Sequence, residues 1–368
     1  MNKRVNVWSY LSEYTQNRDA ILRVVDRVFS SGQLIAGSEV HTFEKTFASY
    51  CGYPYSVSVN SGTDALFIAM KTLGIGPGDE VITVPNTAIP TASAIEATGA
   101  TPIFVDIDPD TYLMDVTKLE RAITIRTKCI IPVHLYGQCV DMDAVTKIAK
   151  RHGVFVVEDC AQSTGATWRE KRAGSMSDIG TFSFYPTKIL GAYGDGGMMI
   201  TRSKRLAKRM RMLQMYGTSR EYYSEFLGYY SRLDEVQAAI LSYKFTRLKE
   251  AMTKRRRIAA RYLLALKDTP LKLPVTAPHA RHAYYLFICR HPKREAIIRH
   301  LKTRNITVNV SYRYPLHTMR GFKDLGYIHG DFPVTERVCR EIFSLPMYPE
   351  LTLSDQQNVI NAVKEFFD

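Results

Sequence analysis

Lys188 stands in the run Thr181-Phe182-Ser183-Phe184-Tyr185-Pro186-Thr187-Lys188-Ile189-Leu190-Gly191-Ala192-Tyr193-Gly194-Asp195-Gly196-Gly197. That run places one lysine between a polar strand end and a turn too rich in glycine to be helical. An amine held there can condense with an aldehyde to form a Schiff base, and the common aldehyde cofactor that uses this bond is pyridoxal phosphate. The plainer reading is a solvated lysine, because a lone lysine carries no signature of its own. What stands upstream favours the chemistry.

In Val156-Val157-Glu158-Asp159-Cys160-Ala161-Gln162-Ser163 an apolar strand runs into two acids. Asp159 is placed to pair with a protonated pyridine nitrogen, which lets the ring accept electrons when a Cα proton leaves. Such a charge-assisted hydrogen bond is worth about 1.5–3 kcal/mol. Gln162 either bonds a ring hydroxyl or holds its own loop, and Asp159 read on its own is equally a cap for the next turn. Earlier, Asn60-Ser61-Gly62-Thr63-Asp64 joins an alternating strand to a helix, leaving free N–H groups and a positive dipole end where a phosphate would sit. Locally, a simple N-cap by Ser61 or Thr63 explains the same residues. The Ser183 hydroxyl would complete a phosphate cup begun by Gly62 and Thr63, while Asp195 reads as a turn residue.

The elements that must position these groups alternate. Strands are expected near 55–59, 80–84, 101–106, 129–134, 154–158 and 198–201, with helices near 65–73, 90–98, 115–122 and 141–152 between them. This alternation predicts an α/β fold with a mainly parallel sheet sandwiched by helices, its ligands gathered at the carboxyl ends of the strands. Residues 1–50 read as an N-terminal helical arm and 51–250 as a large domain. Residues 251–368 read as a smaller C-terminal α+β domain, with strands at 283–290 and 306–310 and helices at 293–303 and 353–367. Helical periodicity is also expected over 204–215, 233–249 and 255–266.

Composition excludes several classes. At 368 residues and 45% hydrophobic, the chain has ample material for buried cores. Six cysteines show no C-x-x-C spacing and nine histidines no H-E-x-x-H pattern, so no metal is expected. No apolar run is long enough to span a bilayer, and the start does not read as a signal peptide, so the expected location is cytoplasmic. The net charge of +13 suits a phosphorylated small ligand better than nucleic acid. Its excess lies on amphipathic helical stretches (202–211 and 244–261), with no nucleic-acid-binding signature beside them.

Taken in order, Asn60-Ser61-Gly62-Thr63, Glu158-Asp159-Cys160-Ala161-Gln162, the Ser183-to-Lys188 segment with Gly191 to Gly197, and Ser231-Arg232-Leu233-Asp234-Glu235-Val236-Gln237-Ala238-Ala239 resemble the DegT-like nucleotide-sugar aminotransferases. Pro315-Leu316-His317 and Ser344-Leu345-Pro346-Met347-Tyr348-Pro349 extend the resemblance toward the C-terminus. It implies fold type I of the pyridoxal-phosphate enzymes, a homodimer with active sites at the interface, and the cofactor on Lys188. It further implies Asp159 at the pyridine nitrogen, Gln162 on the ring hydroxyl side, and Gly62, Thr63 and Ser183 at the phosphate. Tyr230 stands where the family has an asparagine that reaches across the dimer to the phosphate, and it is the expected cofactor-binding residue there, its hydroxyl bonding the phosphate from a longer arm. Ala88 stands where the family has a ring stacked on the cofactor. Tyr185 and His317 are the substrate-binding candidates.

Phe184 to Gly197 looks most like the branch that aminates C3 of keto-sugars. The expectation is transfer of an amino group from L-glutamate to C3 of a nucleotide-linked, dTDP-carried 3-keto-6-deoxyhexose, for an amino sugar of a surface polysaccharide or glycosylated product. A UDP-linked 3-keto sugar acid and a 4-keto sugar are the alternatives, and a non-catalytic regulator on the same fold is the remote one. A related dehydratase type carries histidine in place of the lysine, so Lys188 argues against it.

Overall fold

The computed structural model describes residues 4–368. Two helices open it, α1 (Leu11–Ser31) and α2 (Ser38–Cys51), closed by Gly32 and Gly52, both in the left-handed region that glycine enters without a Cβ penalty. The alternating region follows: β1 (Tyr55–Val59), α3 (Gly62–Thr72), β2 (Glu80–Thr83), α4 (Ile89–Ala97), β3 (Thr101–Phe104), β4 (Thr127–Ile130), α5 (Met142–His152) and β5 (Phe155–Asp159). A hairpin of β6 (Thr167–Trp168) and β7 (Lys171–Arg172) precedes β8 (Ile179–Ser183), β9 (Gly197–Thr201) and α6 (Lys204–Leu213). Next come the ribbon β10 (Thr218–Arg220) and β11 (Tyr223–Ser224), then α7 (Glu235–Thr246) and α8 (Leu248–Leu266). The chain ends with β12 (Ala280–Arg281), β13 (Phe287–Arg290), α9 (Arg294–Thr303), α10 (Pro333–Glu341), β14 (Ile342–Leu345) and α11 (Leu353–Glu365).

Seven strands form the central sheet in the order β1-β9-β8-β5-β4-β2-β3. Successive strand residues point to opposite faces. Ile130, Val156 and Met198 therefore enter the core beneath α2, α5 and α7, while Cys129, Val157 and Met199 enter the core beneath α3, α4 and α6. Covering on both faces explains why these strands read as apolar runs. The exception to parallel order is β9, antiparallel to both β1 and β8. Residues 184–196 return from β8 without a crossover helix, so the next strand has to run backward.

A separate core gathers α8, α9, α11, β13 and β14, including Tyr262, Phe287, Phe343 and Val363, and draws in Val5 from the start of the chain. Residue 250 lies in the first turn of α8, the helix that leads into this core. The opening helices pack on the large core: the Glu235 carboxylate of α7 accepts from the N–H groups of Gly37 (2.7 Å), Glu39 (2.9 Å) and Val40 (3.0 Å). An acid thus neutralises the positive end of α2.

Three local expectations fail for local reasons. Residues 115–122 hold only one 3-10 turn, Glu120–Ala122, because the Asp115 carboxylate accepts from Thr117 N–H and competes with helix formation. Residues 306–310 make isolated bridges, Ile306 to Val5 and Asn309 to Ser344, and the Asn309 side chain accepts from Val310 N–H. The break expected between the helical stretches 233–249 and 255–266 falls earlier, at Arg247, so that 248–254 belong to α8.

Candidate active site

Strands β1, β2, β4, β5 and β8 end at one edge of the sheet, and a cavity of about 230 Å³ opens there. Gly62, Thr63, Asp159, Gln162, Ser183, Tyr185 and Lys188 all line it. These residues are spread over more than a hundred positions, and the parallel register of the sheet brings them together.

The wall made by α3 is a phosphate-sized cradle. Ser61 caps the helix, its hydroxyl accepting from Asp64 N–H at 3.1 Å, so the N–H groups of Gly62 and Thr63 open the first turn. Glycine is required at 62 by close approach: a Cβ there would lie 2.6 Å from the Ser183 Cβ. Gly197 is under the same constraint, since its Cβ would lie 2.2 Å from the Ser61 carbonyl oxygen. The cradle therefore depends on β8 and β9 pressing against the start of α3, which side chains on either glycine would prevent.

Opposite lies Asp159, 4% exposed at the end of β5. Its carboxylate accepts from the Thr91 hydroxyl (2.9 Å) and from Ala161 N–H (3.1 Å). Burial pushes this carboxyl above its ordinary range, while those two donors and the charges of Lys188 and His134 pull it back. A cation placed against Asp159 would favour its ionised form further. The neighbouring Glu158 faces away, where it accepts from His134 Nε2 (2.9 Å), Gly174 N–H (2.8 Å), Met176 N–H (2.8 Å) and Ser177 Oγ (2.8 Å). His134, Glu158 and Cys160 lie close enough to share a metal. Their ligand atoms are committed instead, since His134 Nδ1 also accepts from Val140 N–H at 3.1 Å.

Lys188 sits in a turn whose N–H donates to the Tyr185 carbonyl (2.8 Å), and its ammonium lies 5.0 Å from the centroid of the Tyr285 ring. The Tyr285 hydroxyl meets Thr187 Oγ1 at 3.1 Å, which fixes the ring beside the lysine. Gln162 holds its loop as well as lining the cavity: its carbonyl accepts from Tyr136 N–H (2.9 Å) and its amide donates to the Tyr312 hydroxyl (2.8 Å).

Two expected residues lie elsewhere. His317 is 2% exposed, bonded through Nε2 to Glu336 Oε1 (3.1 Å) and set edge-on to Phe332. It belongs to the Leu316–Thr318 turn and packs against α10, enclosed by the Glu336 carboxylate and the Phe332 ring, and it does not line the cavity of its own chain. Tyr230 does not line the cavity of its own chain. Its ring is 54% exposed, stacked on Tyr216 at 5.2 Å, with its hydroxyl against the Arg232 guanidinium. Ser231 points inward, accepting from Asn60 N–H (3.0 Å) and donating to Asp64 Oδ2 (2.6 Å) beside the cradle.

Sequence reasoning missed Thr91, Tyr312 and the wall position of Asp195. Thr91 left a faint signal, since Thr87 and Thr91 are four apart across the start of α4 and their hydroxyls meet at 3.1 Å. Tyr312 left none.

The model of the DegT/DnrJ/EryC1/StrS aminotransferase family matches residues 15–364. The chain belongs to that family. It is a pyridoxal-phosphate-dependent aminotransferase of fold type I. A relative from Micromonospora megalomicea subsp. nigra, named dTDP-3-amino-3,4,6-trideoxy-alpha-D-glucose transaminase, is 50% identical to this aminotransferase over 98% of each chain. A Geobacillus stearothermophilus relative named pleiotropic regulatory protein is 44% identical over 96% of each. The crystal structure of S. venezuelae DesV in complex with a ketimine intermediate is 41% identical, with a TM-score of 0.98 over 100% of this aminotransferase and 99% of that chain.

Proposed function

We propose that this aminotransferase moves an amino group from L-glutamate to C3 of a 3-keto-6-deoxyhexose carried on dTDP, with Lys188 as the lysine that holds the cofactor. One observation carries the assignment of the site: a single cavity brings together an amine, a buried carboxylate and a helix N-terminus cradle. The substrate class is supported by the 50% identical relative with a transaminase name on a dTDP-linked 3-amino sugar.

The residues fit the cofactor. When bound, pyridoxal phosphate supplies a sink for the electrons left on carbon as the Cα proton departs. The N–H groups of Gly62 and Thr63 and the Ser183 hydroxyl would bind its phosphate at the positive end of α3. Asp159, held by Thr91 and Ala161, would keep a proton on the pyridine nitrogen. The Lys188 amine would serve as the base that moves a proton from one carbon to another. Tyr185, 52% exposed at the cavity wall, would meet the sugar.

A homodimer is part of this reading. The ribbon around β10 and β11 exposes Tyr216, Tyr222, Tyr223, Leu227 and Tyr230, more apolar surface than one short ribbon leaves free without a partner. Tyr230, turned away from its own cavity, would then reach the phosphate cradle of the partner. The described residues include no helix long and apolar enough to cross a membrane, in keeping with a cytoplasmic reaction on a soluble nucleotide sugar.

The test offers the amino form of the enzyme a panel of 3-keto and 4-keto sugars on dTDP and UDP and follows return of the visible cofactor spectrum. Fastest return is expected with the dTDP-linked 3-keto-6-deoxyhexose. Preference for a UDP-linked 3-keto sugar acid or for a 4-keto sugar overturns the substrate and leaves the aminotransferase intact.

A further inference from the structure

Away from the aminotransferase cavity, and sharing no lining residue with it, a cleft of about 420 Å³ opens between the end of α2, the start of α8 and the β6–β7 hairpin. Four cations line it: Arg172 on β7, Lys249 and Arg256 on α8, and Arg281 on β12. The pairing of Arg281 with Thr167 fixes β12 against the hairpin, so the four charges are held by three rigid elements.

None of the four belongs to an ion pair among the described residues, and no acid lines the cleft. Some basic side chains elsewhere are compensated by acids. Arg151 and His152 share Glu120, Arg169 pairs with Asp143, and Arg304 with Glu365. Within the cleft the cations meet only neutral groups. The Arg172 guanidinium lies 3.8 Å from the centroid of the Tyr50 ring, itself packed edge-on to Phe245. Arg256 donates to the backbone carbonyls of His282 (3.2 Å) and Gly165 (3.3 Å). Burial, and then the like charge of Arg281, hold the Arg256 guanidinium below its ordinary range.

A concentration of like charge in a partly enclosed space of this size raises the local potential and favours an incoming anion. Three of the four cations are arginines, whose planar forks match phosphate oxygens in pairs. The volume falls within the range of small-molecule sites, about 300–1,000 Å³, and is far smaller than a groove that would seat a nucleic-acid backbone. We propose that this cleft is a second ligand site, for a small phosphate-bearing anion of nucleotide size, distinct from the cavity around Lys188. Because the ligand would join the hairpin to the helix leading into the C-terminal core, its binding also stabilises the fold.

The test uses the holoenzyme with inorganic pyrophosphate as probe, in equilibrium dialysis at low ionic strength and in thermal unfolding. The variant is Lys249→Gln with Arg281→Gln, both exposed and outside the aminotransferase site. Wild type is expected to bind a pyrophosphate that the double variant binds about tenfold or more weakly, since each lost charge-assisted hydrogen bond is worth about a factor of ten or more. The rise in Tm with pyrophosphate should shrink in parallel, while kcat stays unchanged, which shows that the variant is folded. Identical isotherms for the two proteins overturn the proposal. So does loss of polynucleotide binding in a variant whose parent binds no pyrophosphate, which would make the cleft a nucleic-acid contact.

Discussion

Gly62→Ala tests the phosphate cradle through a single methyl group. The new Cβ would sit 2.6 Å from the Ser183 Cβ, 3.0 Å from its Oγ and 3.1 Å from its Cα. Ordinary carbon contacts lie near ~3.5–4.0 Å, so the start of α3 and the end of β8 must part by roughly 1 Å. Overpacking of this kind costs about 1–3 kcal/mol of stability. The same displacement draws the N–H groups of Gly62 and Thr63 off their aim, and a charge-assisted hydrogen bond is worth about 1.5–3 kcal/mol. Cofactor affinity should fall by roughly tenfold to a hundredfold per bond lost. Titrating the apoenzyme with pyridoxal phosphate and following the visible spectrum measures this directly. The decisive comparison is a double-mutant cycle with Ser183→Gly, which removes the Cβ and Oγ that the methyl strikes and leaves the 3.1 Å approach to Cα. Gly62→Ala should cost several-fold less in the Ser183→Gly background than in wild type. Equal costs in both backgrounds, or wild-type affinity in the single variant, would refute the argument that this contact shapes the cradle.

Lys188→Ala should abolish turnover, and borohydride reduction of the wild-type holoenzyme followed by peptide mass spectrometry should find the cofactor on Lys188; a different modified lysine removes it from the role. Asp159→Asn keeps one oxygen acceptor, for either the Thr91 hydroxyl or Ala161 N–H, and loses the charge, so single-turnover rates with glutamate should drop by at least about a hundredfold while cofactor affinity falls less. Near-normal rates would exclude the assigned function of that carboxylate. His282 supplies a pH prediction: burial pushes its imidazole from 6.5 down to about 3, with Nδ1 accepting from Tyr284 N–H at 2.8 Å. The unfolded chain takes up a proton below 6.5 that the folded chain refuses. This contribution to stability is therefore intact above 6.5 and is lost as pH falls toward 3, up to about 5 kcal/mol if fully expressed. His282→Gln should flatten the loss of stability between pH 6.5 and 4 in urea titrations, and an unchanged slope would assign it to other groups.

Gly62, Thr63, Asp159, Gln162, Ser183 and Lys188, which line the cavity, were legible in the sequence because each belongs to a short local pattern with a chemical meaning. A glycine after a capping serine, an acid at the end of an apolar run and a lysine before a glycine-rich turn announce themselves within a few positions. Alternation of strands and helices then implies that the strand ends share one edge, since parallel strands with crossover helices leave few other arrangements. The direction of β9 was outside that logic, because a strand does not record which way its neighbour runs.

Other features depended on contacts between distant segments. That Glu158 faces four donors in the core while Asp159 faces the cavity follows from the pleat of β5 within the assembled sheet. That His317 is enclosed follows from Glu336 on α10 and Phe332 arriving beside it. Thr91 against Asp159, Tyr312 against Gln162 and four unpaired cations around one cleft are likewise products of packing. Local sequence determined which chemistry this chain carries, through the conformations and charges of neighbouring residues. Only the tertiary structure decided which of those groups meet, because burial, hydrogen-bond partners and charge compensation are properties of positions in space.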